Sequence, residues 1–220
     1  MIDLNKSLEF FDPSTVKAKV SIVGCGAVGS HLAVLLARLG VQKFALYDED
    51  TVSSHNIANQ NFVFNDIGRL KTECVAETIK AINPSAEVHT HGFAVPGPSA
   101  PSGYVFYCVD NIKVRKELTE SYKITHLAKA IIDFRMGLTS GQVYVVTYNN
   151  IDDYMKTMNF TDEEVDALTP HSACGFELSV AYSIWNMVGV GVSEFVDLIK
   201  DKSTTLTTII DTGNYNILKV

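Results

Sequence analysis

The sequence of 220 residues has no two cysteines separated by two residues, and Cys25, Cys74, Cys108 and Cys174 show no zinc-knuckle spacing. That argues against a CxxC metal site and a disulfide framework, so the four read as reduced thiols of a cytoplasmic protein. No run of five or more basic residues occurs and the formal charge is −7, which makes nucleic acid and anionic membrane poor default partners. The longest apolar stretch, roughly Leu178 to Val192, is interrupted by Ser179, Ser183 and Asn186 and is too short to span a bilayer. The opening MIDLNKSLEFFDPS lacks the basic start and continuous apolar run of a signal peptide. There is no internal repeat and no low-complexity tract. The histidines also show no ligand spacing with acids or cysteines. His89 and His91 share one face of a strand pattern but lack a third partner, and His31, His55 and His126 stand apart.

With 46% hydrophobic and 20% charged residues, the chain suits one soluble domain with a full core. Residues 19–23 read as a buried strand, Gly24 to Gly29 as a glycine turn, and 28–39 as a helix with Leu32, Leu35, Leu36 and Leu39 on one face, closed by Gly40. A strand from Lys43 to Tyr47 ends at Asp48. The polar stretch 49–69 reads as a functional loop. A helix from Leu70 to Ile82 closes at Asn83-Pro84, and a strand follows at Ala86 to His91. Gly92 to Gly103, with Pro96, Pro98 and Pro101, is a surface loop. Tyr104 to Val109 is a strand ending at Asp110, Lys113 to Leu127 a helix, and Ala130 to Phe134 a strand. This alternation predicts a doubly wound, mostly parallel Rossmann-like sheet.

Beyond Arg135 the pattern changes. A tight reversal at Gly137 to Gly141 precedes a strand from Gln142 to Tyr148, and acidic residues 152–166 read as a short exposed helix or lid. Glu177 to Ile199 carries the longest helical pattern. Thr204 to Asp211 and Tyr215 to Val220 form a closing hairpin around Thr212-Gly213-Asn214. The expectation is a single domain, 1–220, in which a core of 1–137 is extended by antiparallel strands and a long helix in 138–220.

Gly24-Cys25-Gly26-Ala27-Val28-Gly29 fits GxGxxG between a strand and a helix. Gly24 permits the sharp turn, Gly26 lets phosphate approach the backbone, and Gly29 lets helix and strand pack. The unpaired N–H groups at the helix start, from Ala27 on, then face an anion. Asp48 follows 19 residues after Gly29, where an acid bonds ribose hydroxyls. These features fit NAD, FAD and ATP alike.

The stretch DEDTVSSHNIANQNFVFNDIGRLK, from Asp48 to Lys71, resembles the ThiF/MoeB/HesA family and the adenylation domains of ubiquitin-activating enzymes. The matching positions are Asp48, Asp50, Val52, Asn56, Gln60, Asp66-Ile67-Gly68, Lys71 and Ile82-Asn83-Pro84. Cys108-Val109-Asp110-Asn111 resembles the family's magnesium-binding aspartate motif, and Asp133-Phe134-Arg135-Met136-Gly137 its D-x-R-M-G segment. The resemblance implies an adenylyltransferase that uses ATP and Mg2+ to activate the C-terminal carboxylate of a ubiquitin-like protein, sulfur-carrier protein or peptide with a flexible tail. Lys71 would reach the phosphates, or stand as a solvated helix residue. Asp110 would hold the metal, or cap the helix from Asn111 onward. Asn56 and Gln60 would bond phosphate or adenosine oxygens. Asp50 would either join them or shape the loop, and Arg135 would contact phosphate or peptide, or form an ion pair.

Where the family carries arginine this chain has Asn59, which holds no charge. The family's second arginine comes from a partner subunit's N-terminal helix, and here that segment offers only Lys6, Lys17 and Lys19. Lys6, Arg69 or Arg135 could substitute. The absent CxxC pairs remove the family's structural zinc. Cys174, close to His171 and just before the long helix, is either an acyl acceptor or a buried small apolar residue. The long helix, with Ala181, Gly189 and Gly191, suits a homodimer interface. An NAD-dependent oxidoreductase and a non-catalytic nucleotide-binding scaffold are the alternatives.

Overall fold

The computed structural model describes residues 2–160, 164 and 178–220. Its centre is one eight-stranded sheet in the order β3-β2-β1-β4-β5-β6-β7-β8. β1 (Val20–Val23), β2 (Lys43–Tyr47), β3 (Glu87–His91), β4 (Gly103–Tyr107) and β5 (Ala128–Met136) run parallel. β6 (Ser140–Val146), β7 (Thr207–Asp211) and β8 (Asn216–Lys219) continue the sheet antiparallel. The Rossmann-like sheet with an antiparallel extension is thus as the sequence predicts.

Alternating side chains divide the interior into two cores. Ile22, Phe106, Ile132 and Phe134 face α1 (Ala27–Arg38), α2 (Lys71–Ile82) and α5 (Ala181–Ile199). Val23, Val105, Tyr107 and Ile131 face α3 (Ile112–Thr125) and α4 (Ile151–Lys156). Every β1 position is buried, as expected for a strand covered by helices on both faces. The chain leaves β1 toward β2 and β3, then returns to its other side as β4. The carboxyl ends of β1 and β4 therefore flank the crevice where a doubly wound sheet receives ligands.

Several boundaries differ from the sequence reading. β5 begins at Ala128, beside Gly103 of β4, and it extends to Met136 with β6 starting at Ser140 because the hairpin closes tightly, with Gly137 N–H donating to Ser140 O at 2.8 Å. α4 is not simply an exposed acidic helix. Ile151 and Tyr154, one turn apart, are buried beneath it, while Asp152 and Asp153 face outward. The loop 49–69 contains two short 3-10 turns, Ser54–Ala58 and Phe64–Asp66, and Thr51 bridges to Leu70. Gly40 lies just past the end of α1 with φ +87°, the left-handed position expected of a C-terminal glycine.

The two glycines assigned to an interface behave differently. A Cβ on Gly191 would lie 2.2 Å from the Phe134 ring, so this glycine packs α5 onto β5 and cannot serve an outer contact. A Cβ on Gly189 would meet only open space. Gly191→Ala is expected to cost about 1–3 kcal/mol through overpacking. Gly189→Ala should gain roughly 0.5–1 kcal/mol from helix propensity. Urea denaturation of the two variants, read by circular dichroism, checks the opposite signs.

Candidate nucleotide site

The site begins with an unusually close main-chain approach. A Cβ on Gly29 would lie 1.9 Å from Gly24 O, and one on Gly24, whose φ is +94°, would lie 2.6 Å from Cys108 O. These two glycines pin β1, α1 and β4 together. Gly26 has a different role. A Cβ there would meet nothing nearer than the Gln60 amide at 3.9 Å, so space lies open over the turn. No side chain caps α1, leaving its first-turn N–H groups directed at that space.

Asp48, at the end of β2, accepts from Cys25 N–H at 2.7 Å through Oδ2 and from Asp50 N–H at 2.9 Å through Oδ1. It clamps the glycine turn to the loop after β2, and its remaining lone pairs are what it could offer a ribose. Asn56 is buried and its Oδ1 accepts from Ser53 N–H at 2.8 Å, so this oxygen shapes the loop. Asn59 ends the first 3-10 turn, its N–H donating to Asn56 O. Asn61 N–H donates to Ser30 Oγ at 2.9 Å, tying the same loop to α1. Gln60 Oε1 is buried without a hydrogen-bond partner, an expensive condition that only a bound hydrogen-bond donor, such as a hydroxyl or amine, would relieve.

Lys71, first residue of α2, is buried and donates to Asp50 Oδ2 at 2.8 Å. Its charge reaches the glycine turn, where it partly offsets the upward push that burial, Asp48 and Cys108 exert on the Cys25 thiol. Asp110 lies exposed beyond β4. The helix cap that follows is Asn111, whose Oδ1 accepts from Val114 N–H, so Asp110 is free of that duty. Among the described residues no hydrogen bond or ion pair engages the Asp110 carboxylate. A hard cation beside phosphate is usually held by one or two such carboxylates.

Arg135 sits elsewhere. Its Nε donates to Asp133 Oδ2 at 2.8 Å, its Nη1 to Thr157 O at 3.0 Å, and its guanidinium lies 4.2 Å from the Tyr144 ring centroid. Burial opposes its charge, but Asp133, Tyr154 and Tyr144 outweigh that and raise its pKa. It forms an inward ion pair, with Nη2 buried and unpartnered. Arg69 is bound to Asp66 and Glu77. Lys6 lies in the N-terminal segment whose Leu4 and Pro13 pack on Gly40, at the opposite end of α1 from the glycine turn. Cys174 lies outside the described residues. Burial and Asp66 push the Cys74 thiol up to about 11, and burial raises Cys108 further, so neither is a ready nucleophile. His89 pairs with Glu87 and His91 stacks on Tyr47.

Two residues that the sequence reading gave no role complete the surroundings. Asp133, fully buried, accepts from Arg115, Arg135 and Tyr154. Arg115, buried in α3, reaches back to the Asp110 main chain. Arg115 within KVRKEL has the look of a solvated helix residue, and only the fold brings it to Asp133.

The ThiF family model matches residues 14–217. The chain belongs to the ThiF family. Among curated relatives, ubiquitin-like modifier-activating enzyme 5 of Drosophila willistoni is 31% identical over 113 residues, covering 44% of this chain and 28% of that protein. The Dictyostelium discoideum enzyme of the same name is 31% identical over 122 residues, 46% of this chain and 31% of its own length. Of solved structures, selenomethionine PaaA superposes with a TM-score of 0.72 at 20% identity, covering 94% of this chain and 64% of PaaA. E. coli MccB crystallised with ATP gives 0.69 at 18% identity, covering 94% and 65%. These structural likenesses establish the ThiF fold, and this chain spans under a third of the enzyme 5 relatives and just under two thirds of the structural ones. No helix among the described residues is long and apolar enough to cross a membrane.

The two turn glycines should separate folding from binding. Gly24→Ala forces a side chain into Cys108 O at a left-handed position, and denaturant titration should show a loss of about 2 kcal/mol or more. Gly26→Ala should stay within about 1 kcal/mol of the parent, and any thermal shift that ATP gives the parent should be lost in this variant.

Proposed function

We propose that this ThiF-family chain is an adenylyltransferase that uses ATP to activate a terminal carboxylate of a small ubiquitin-like protein, sulfur-carrier protein or peptide. What supports this reading is the open Gly26 turn with the unpartnered Gln60 Oε1 near it, a buried Lys71 whose charge reaches Cys25 of that turn, and an unengaged Asp110 carboxylate two residues after Cys108, whose carbonyl abuts Gly24. The names of similar proteins, ubiquitin-like modifier-activating enzyme 5 and MccB crystallised with MccA, are in keeping with a protein or peptide substrate.

In this reading the triphosphate lies along the Gly26 turn, where first-turn N–H groups of α1 receive it. Its greater charge draws Lys71 from Asp50. That exchange is inexpensive, because Asp50 is mostly exposed and gains water on release. The incoming carboxylate attacks the α-phosphorus, a new P–O bond forms, the bond to the β-phosphate oxygen breaks, and pyrophosphate leaves. Two anions must meet, so donors and cations placed where charge develops supply most of the acceleration. Asp110 would hold Mg2+, which neutralises phosphate charge when bound. Asp48, Lys71 and Gln60 orient the nucleotide.

A single chain supplies few cations here. Asn59 is neutral, and Arg69 and Arg135 are committed to other partners. The reading therefore includes a homodimer in which a second copy brings a basic residue to the crevice. The same shortage of charge favours a second reading, a nucleotide-binding scaffold without catalysis.

ATP–pyrophosphate exchange with a candidate partner separates the two. Exchange should appear with the parent, fall at least about 100-fold in Asp110→Ala and Lys71→Ala, and leave both variants folded by circular dichroism. Absence of exchange alongside a clear ATP thermal shift would favour the scaffold. A thermal shift with NAD and none with ATP would overturn both.

A further inference from the structure

We propose that Arg115 is a positioning residue that fixes the main chain from which the Asp110 carboxylate projects, an inference resting on the reading of Asp110 as the metal-binding group. All three guanidinium nitrogens of Arg115 are engaged. Nε donates to Asp133 Oδ1 at 2.9 Å, Nη2 to Phe134 O at 2.9 Å, and Nη1 to Asp110 O at 3.2 Å. Arg115 and Asp133 are both buried. The rigid fork thus joins three points that sequence keeps apart: the interior of β5, the main chain near its end, and the turn after β4.

The third contact bears on the site. The Asp110 carbonyl belongs to the peptide unit that links Asp110 to Asn111. Arg115 holds that unit from below, while the Asn111 side chain caps α3 through Val114 N–H at 3.1 Å. On the other side, Cys108 N–H donates to Val23 O at 2.8 Å and anchors the strand end. The main chain is fixed before and after Asp110, so the direction of its Cα–Cβ bond is fixed too. The carboxylate itself has no partner among the described residues, so the backbone sets the point from which it swings through its few rotamers.

Stability alone does not account for such a group. A buried ion pair is often no better than apolar residues of the same volume. A planar fork that meets one carboxylate and two carbonyls does what an apolar residue cannot, and what the single ammonium of lysine cannot do at three points. Asp133 keeps the guanidinium charged and oriented, and is itself shared with Arg135 and Tyr154. Residues behind a metal ligand are known to change metal affinity about 10–100-fold when altered.

The test measures Mn2+ bound in the presence of α,β-methylene ATP, by the electron paramagnetic resonance signal of free Mn2+, over that bound by the nucleotide alone. Arg115→Lys should weaken this protein-dependent binding about tenfold or more, while nucleotide binding in EDTA stays at the parent value. Tyr154→Phe removes a different hydrogen bond from the same buried cluster, and its Mn2+ affinity should stay within about twofold of the parent. Parent-like Mn2+ binding by Arg115→Lys would overturn the proposal, as would equal weakening in both variants, which marks general loosening. Asp110→Ala should remove the protein-dependent component. Its persistence would sink the metal assignment itself, a result distinct from persistence in Arg115→Lys alone. Should Arg115→Lys not fold, Asn111→Ala releases the same peptide unit and leaves the buried cluster intact. It should weaken Mn2+ about threefold or more, and unchanged affinity there would equally overturn the proposal.

Discussion

The carbonyl oxygen of Gly24 occupies the place where any side chain on residue 29 would begin, and the Cys108 carbonyl does the same for residue 24. β1, α1 and β4 therefore approach as closely as backbones allow. Much follows from that contact. The amino end of α1 is delivered behind the crevice, the ends of β1 and β4 stand side by side, and Asp110 emerges beside the same turn. Asp48 completes the clamp by taking N–H groups from Cys25 and Asp50 at once. The candidate site is thus largely main chain held by main chain, which gives it little freedom to relax and suits a site whose dipoles must be in place before charge moves.

The antiparallel half contributes differently. Its strands widen the sheet, and α5 covers one face, with Phe195 against Tyr104 and Phe106. On the other face the interior turns polar around Asp133, with Tyr154 of α4 donating to it and Arg135 capping the end of α4 through Thr157 O. A fully buried carboxylate with three donors is tolerable only when each is well placed. That demand locks α3, α4 and the end of β5 into one arrangement, so the part of the fold least like a Rossmann half is bound to the turn that carries Asp110.

Periodicity made most of this architecture readable. The leucines of α1 and the strand–turn–helix glycines carry signals that local physics reproduces, and β1, β2 and α2 fall within a residue or so of expectation. Legibility fails where the deciding contact is distant in sequence. Ser140 and Gly141 have no apolar signal, so the start of β6 is visible only through its pairing with Met136 on one side and with Asp211 and Ile210 on the other. Tyr154 is hidden in an acidic stretch and is buried because Asp133, 21 residues earlier, needs a donor. Arg135 falls within a motif and invites a functional role. Its inward turn depends on Tyr144 and Thr157, which no local pattern ties to it. Asn56 and Gln60 are alike in sequence terms, yet the Asn56 amide oxygen is spent on a loop and the Gln60 amide oxygen is left without a partner.

The charge balance of the crevice leads to the remaining step. A triphosphate meeting a carboxylate concentrates negative charge in a chain whose formal charge is already −7. Lys71 can be released to it, because Asp50 is largely exposed and regains water when the pair opens. Arg115 and Arg135 cannot follow, since withdrawing either would leave Asp133 buried with fewer donors, at about 3–5 kcal/mol. Arg69 is bound to two acids, and Lys6 stands at the far end of α1. Among the described residues discussed above, the positive charge available to the turn comes from Lys71 and the helix N–H groups. Under the proposed adenylation, further charge would come from the metal proposed at Asp110 and from a basic residue of the proposed second copy. The case for a homodimer is therefore electrostatic, and does not depend on the small residues of α5.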